Sequence, residues 1–85
     1  MYYTYVIYSE KHDVFYPGFT SDVKKRVARH NSANSKGWTK RYQPWELLFA
    51  EEFEDKNEAL KREKYLKSHA GRDKIRRFID KKHNR

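Results

Sequence analysis

The sequence predicts a small α+β domain, and three observations carry that prediction. Tyr2 to Tyr8 is an almost unbroken run of β-formers, and a second run of this kind spans 45–53. The stretches after residue 21 and after residue 55 instead place apolar residues at helical spacing behind capping residues. Finally, 85 residues suit a single domain, 1–85. With 38% charged residues the chain would read as disordered but for its seven Tyr, five Phe and two Trp, an aromatic load that disordered chains lack.

Residues 1–8 form the first expected strand. Ser9 to Asp13 is polar and turn-like, and Val14-Phe15-Tyr16 resumes β-composition until Pro17-Gly18 ends it. A five-residue loop pairs Tyr8 with Val14 and so puts the Tyr8 and Tyr16 side chains on one face of the hairpin. Pro17 has no backbone N–H, so the second strand is expected at a sheet edge. Ser21 or Asp22 caps a helix from Val23 to about Asn31, in which Arg26 and His30 share a face. Residues 32–44 have no clean period and read as a loop. Lys36, Lys40 and Arg41 alternate there with Trp38 and Tyr42, which suits either nucleic-acid tracking or packing back onto the domain. The third strand is Trp45 to Phe53, with Trp45, Leu47, Phe49 and Phe53 on one side. Asp55 and Glu58 open a second helix, about Lys56 to Lys67. Gly71 reads as a break, and a third helix follows over about 72–81.

Zero Cys excludes disulfides and thiolate metal sites and fits a reducing, cytoplasmic setting. No apolar run approaches the length of a membrane span, so a membrane is not among the expected partners. His12, His30, His69 and His83 lack zinc-like spacing, and neither a Gly-rich phosphate loop nor a nucleophile elbow occurs. Charge is uneven. Residues 1–55 hold as many acids as bases, whereas 56–85 hold twelve Lys/Arg against four Asp/Glu, so the entire surplus of +8 sits on the last third. A polyanion, nucleic acid first, is the implied partner, and a solvated basic tail is the plainer reading.

Glu63 is the most informative residue. On a helical wheel from Ala59, Leu66 lies at about −20°, Glu63 at about +40° and Leu60 at about +100°. The carboxylate is therefore expected inside the apolar arc, where it needs a partner. Two readings fit: a salt bridge, with an Arg of the first helix as one candidate partner, or a hard divalent cation at the edge of a cleft.

Taken in order, Val6-Ile7-Tyr8, Tyr16-Pro17-Gly18, Thr20, Arg26, His30 and the Leu-Lys-Arg-Glu-Lys-Tyr-Leu helix around Glu63 resemble the GIY-YIG nuclease domain. The resemblance spans nearly the whole chain. It is strongest to small stand-alone bacterial members similar to the N-terminal nuclease module of the excinuclease C subunit. Val6 departs from the first Gly of the motif and Pro17 from its second middle residue. The resemblance implies a three-stranded antiparallel sheet flanked by about three helices. It also implies hydrolysis of DNA phosphodiester bonds with one Mg²⁺ or Mn²⁺ ion held by Glu63. Carried onto this chain, Tyr8 takes the proton of the attacking water and Tyr16 positions water or phosphate. Arg26 stabilises developing charge, and His30 assists proton transfer or holds the phosphate.

DNA contacts are expected from Lys36, Trp38, Lys40 and Arg41 in the loop. Arg62, Lys67, Arg72, Arg76 and Arg77 are expected to add more from the basic helices. DNA is the expected substrate, with RNA and a protein partner or second copy left open. Structure-selective or weakly sequence-selective cutting, linked to DNA repair or recombination, is the expected role, because nothing outside the nuclease core supplies a recognition domain. The alternative is a nucleic-acid-binding or partner-recruited module without activity of its own.

Overall fold

The structure, a computed structural model, describes residues 1–82; His83 and the rest of the expected 1–85 domain beyond Lys82 lie outside the described residues. The elements run β1 (Tyr2–Ser9), β2 (Val14–Thr20), α1 (Val23–His30), α2 (Trp38–Arg41), β3 (Glu46–Phe53), α3 (Lys56–Lys67) and α4 (His69–Lys82). The three strands form one antiparallel sheet in the order β2-β1-β3, as expected. Pro17 lies on the edge strand β2, where its missing donor breaks no second ladder.

Central β1 is buried from Thr4 to Ser9 because both faces of the sheet are covered. On one face Val6 and Tyr8 join Phe15, Leu48, Leu66, Ile75 and Ile79 beneath α3 and α4. The buried Thr4 hydroxyl ties the strand to α3 by donating to the Ala59 carbonyl at 2.6 Å. On the other face Tyr5, Ile7 and Trp45 pack with Tyr16, Val27 and Tyr42 under α1 and the 32–44 segment.

Register departs from the sequence expectation by one residue. Ser9 pairs with Val14, so the loop is Glu10–Asp13, closed by Asp13 in the left-handed region at φ 53°. Tyr8 therefore opposes Phe15, and Ile7 opposes Tyr16. Shifting the loop by one residue moves every side chain to the opposite face. Strand pairing also continues through Pro17 and Gly18 to Thr20. In β3 a bulge between the partners of Val6 and Ile7 leaves Leu48 unopposed, so Leu47 and Phe49 fall on different faces rather than one side.

The helices differ in detail from expectation. Asp22 caps α1 by accepting from the Lys25 N–H, and Asp55 caps α3 by accepting from the Asn57 N–H. The 32–44 stretch contains the short helix α2. In α3 the buried arc is Ala59 and Leu66, and Leu60 is exposed. Arg62 and Glu63 flank that arc on opposite sides. Gly71 lies inside α4 rather than before it: α3 and α4 approach so closely that a Cβ there would strike the Tyr65 carbonyl and come within 2.6 Å of the Leu66 Cα.

Candidate active site

The face of the sheet under α1 gathers the chemistry-bearing side chains. Tyr5 and Gly18 are partners across β1 and β2, and the Tyr5 ring lies directly over Gly18. A Cβ at position 18 would collide with the phenol Oη and Cζ, which is why only glycine fits beneath the ring. The Tyr5 hydroxyl is 2.9 Å from His30 Nε2, and the Arg26 charge acts on the same phenol. Tyr16 meets the His30 ring edge-on at 5.6 Å between centroids. Spaced four apart, Arg26 and His30 project from one face of α1, as the sequence expected.

The backbone around His30 is held from two sides. Gln43 Nε2 donates to the His30 carbonyl at 2.7 Å, and Asn31 exchanges two hydrogen bonds with the Trp45 backbone. These contacts fasten the end of α1 to the start of β3.

Tyr8, expected beside Tyr16, is on the opposite face. Its fully buried ring packs among Phe15, Leu66 and Ile75, and its hydroxyl donates to Asp13 Oδ1 at 2.6 Å. Asp13 also accepts from Arg76 Nη1 at 2.7 Å, so Tyr8 belongs to a latch between the hairpin loop and α4. Tyr5 stands where Tyr8 was expected. The signal for it was in the sequence: Tyr5, like Tyr8, is an aromatic of β1, and a loop of four rather than five residues selects it. The three-residue segment reaching the site is accordingly Tyr3-Thr4-Tyr5, not Val6-Ile7-Tyr8. Gly18, Asn31 and Gln43 were missed because each acts through a contact distant in sequence.

Glu63 stands in a salt bridge, one of the two readings expected, but with Lys67 and not with an Arg of α1. Its side chain, 20% exposed, accepts from Lys67 Nζ at 3.0 Å, one turn on. The Lys67 ammonium that it holds lies 5.4 Å from the Tyr16 ring centroid, so α3 presents the Lys67–Glu63 pair to the Tyr16 side of the domain. Among the described residues no three His, Cys, Asp or Glu side chains come together as a metal cluster.

Electrostatics set the protonation states. Burial pushes the Tyr5 phenol up to about 12, opposed by the Arg26 charge. Burial, then the charges of Arg26 and Arg29, lowers His30 below its usual value. At neutral pH the pair is a neutral phenol beside a neutral imidazole.

The expected DNA-contacting residues divide into two groups. Trp38 is 45% exposed and packs on Tyr42, Trp45 and Tyr16 at 4.7, 5.8 and 6.0 Å. It borders a cleft of about 410 Å³ that also holds Phe15, Tyr16, Lys67, Arg72 and Arg76. Arg72 lies 4.8 Å over the Phe15 ring. Arg62 does not join them: Glu51 grips it through two hydrogen bonds, at 2.8 and 3.1 Å, beside Phe49 and Phe78 on the face away from Tyr5. Arg77 pairs with Asp73, and Lys40 donates to the Ala33 carbonyl.

An antiparallel sheet that brings two tyrosines, an arginine and a histidine together, with a glutamate from a later helix, defines a GIY-YIG domain. The GIY-YIG catalytic domain matches residues 1–76, and this chain belongs to that nuclease family. Among its relatives it is 40% identical to the UPF0213 protein YazA of Bacillus subtilis, over 87% of this chain and 74% of that one. It is 38% identical to a UPF0213 protein of Limosilactobacillus reuteri, over 93% and 83% of the two chains. The solution NMR structure of the UPF0213 protein BH0048 from Bacillus halodurans has the same fold, with a TM-score of 0.52 at 24% identity over 88% of this chain and 82% of that one.

Proposed function

We propose that this chain is a divalent-metal-dependent endonuclease that hydrolyses DNA phosphodiester bonds, with Tyr5, Tyr16, Arg26, His30 and Glu63 as its working residues. The observation that carries the reading is the hydrogen bond between Tyr5 and His30 within reach of Arg26 and Tyr16. A phenol held near 12 supplies almost no phenolate at neutral pH, so it is a poor base alone. A neutral His30 removes the difficulty. The Tyr5 oxygen accepts a proton from the attacking water while its own proton passes to His30 Nε2, and no isolated phenolate forms. Arg26, with its fork of donors, meets the charge developing on the phosphate oxygens, and Tyr16 orients water or phosphate by hydrogen bonding.

Glu63 suits a hard cation. Its carboxylate is half-buried, an oxygen donor, and already holds a positive charge in the Lys67 ammonium. With Mg²⁺ or Mn²⁺ bound there, the ion supplies Lewis-acid polarisation of the phosphate. The cations facing outward address the nucleic-acid backbone rather than base edges, which favours selection by DNA structure, as in repair or recombination. Among the described residues no helix is long and apolar enough to cross a membrane.

The test is cleavage of plasmid, single-stranded, branched and flap DNA with Mg²⁺ or Mn²⁺. Glu63→Gln should abolish divalent-dependent cutting with the fold intact. Activity that survives the substitution undiminished refutes the metal assignment, and wild-type protein that binds DNA but cuts none of these substrates refutes the nuclease reading.

A further inference from the structure

Beside the Tyr5–His30 pair, on the α1 side, lies a second pocket of about 360 Å³. Arg26 and His30 form one wall; Arg29, Lys36, Ser35 and Thr39 form much of the rest. No carboxylate lines it. That composition contrasts with the basic helices, where Lys61, Arg62, Lys67, Arg76 and Arg77 each pair with a carboxylate. Among the described residues neither Arg29 nor Lys36 forms an ion pair, so their charges are uncompensated. The Ser35 hydroxyl is buried, with Thr39 Oγ1 at 3.4 Å as its companion, and both hydroxyls border the pocket.

Resting on the reading of Arg26 and His30 as the side of the site that receives the scissile phosphate, we infer that this pocket is a subsite for the next internal phosphate of the DNA strand, held by Arg29 and Lys36 with hydroxyl donors from Ser35 and Thr39. The pocket shares two residues with the catalytic cluster, so one nucleotide can occupy it while its neighbour is cut. Uncompensated cations lined with neutral donors and free of carboxylates are what a phosphodiester requires. The pocket thus sets where the strand lies relative to the cut. The His30 depression fits the same field, since Arg29 adds to it.

The experiment reads binding without divalent metal, so its result does not depend on the protein being a nuclease. A short oligothymidylate without terminal phosphates is titrated into the wild-type protein and into the Arg29→Gln/Lys36→Gln double variant, followed by NMR and by affinity at several salt concentrations. The expected result is amide shifts at His30, Ser35 and Thr39, an affinity loss on the order of ten- to a hundredfold in the double variant, and a salt slope smaller by roughly two. Both residues are exposed, and thermal melts check the fold; if the double variant melts early, Lys36→Gln alone decides, with an expected slope change of roughly one. Unchanged affinity, or an equal loss in a control that removes two exposed charges of α3, Lys56→Gln/Lys61→Gln, overturns the subsite. A 5′-phosphorylated oligonucleotide forms the second arm. Equal affinity supports an internal phosphate, whereas binding only of the phosphorylated strand overturns this assignment in favour of a site for strand ends.

Discussion

At the scale of single residues, the choice between Tyr5 and Tyr8 decides the chemistry. Tyr5→Phe removes the hydroxyl facing His30 and should slow single-turnover cutting by on the order of 10² or more, while Tyr8→Phe should leave it within a few-fold. A dead Tyr8→Phe beside an active Tyr5→Phe would reverse the assignment. Gly18→Ala should mimic Tyr5→Phe on rate, because the new methyl displaces the phenol from above. The pH profile follows from His30. Its folded pKa is lowered, so the neutral form that accepts the Tyr5 proton persists below 6.5. The acid limb of the rate should therefore lie below that value. The linked stability has the same sign: it is present in full above the unfolded pKa and is lost as pH falls through the lower folded one. A limb above 6.5 that disappears in His30→Gln would contradict the neutral-imidazole relay. Arg26→Ala should cut the single-turnover rate by on the order of 10² while DNA affinity changes a few-fold, with partial rescue by Lys.

At the scale of elements, strands and helices were readable because local composition dictates them. The cap Asp55 and the span of α3 were plain in the sequence, and Asp22 was one of the two caps it offered for α1. That Arg26 and His30 share a helix face was legible too, because a spacing of four fixes it whatever the tertiary fold. What local composition does not encode is where one element meets another. The hairpin loop differed by one residue, and that single step exchanged Tyr8 for Tyr5. Gly71 read as punctuation because a sequence shows glycine's freedom but not the α3 backbone that crowds it. Its role gives an element-scale prediction. Gly71→Ala adds a methyl against backbone atoms, which cannot rotate aside, and should destabilise the domain by about 1–3 kcal/mol in denaturant unfolding despite alanine's better helix propensity. A neutral or stabilising result would show that α3 and α4 slide apart freely.

At the scale of the whole molecule, the sheet separates two tasks. The face under α3 and α4 carries the larger aliphatic core, including Leu66, Ile75 and Ile79, and the latch from Tyr8 through Asp13 to Arg76 closes it. The face under α1 carries the phenol, the imidazole and the guanidinium. Stability and chemistry should therefore respond to different substitutions. Ile79→Ala removes a fully buried side chain on the far side of the sheet from Tyr5 and should cost about 2–5 kcal/mol, a large share of the stability of a domain this small. At temperatures where the variant remains folded, its single-turnover rate should stay within a few-fold of wild type. Tyr5→Phe should behave in the opposite way, losing rate with a change in unfolding free energy of about 1 kcal/mol. Glu63 is the one proposed site residue supplied by α3, so it reports whether the two faces are coupled. If Ile79→Ala weakens Mn²⁺ binding, measured by electron paramagnetic resonance well below the melting temperature, then core packing beneath α3 sets the position of the carboxylate. If Mn²⁺ affinity is unchanged, the separation into a supporting face and a reacting face extends to Glu63 as well.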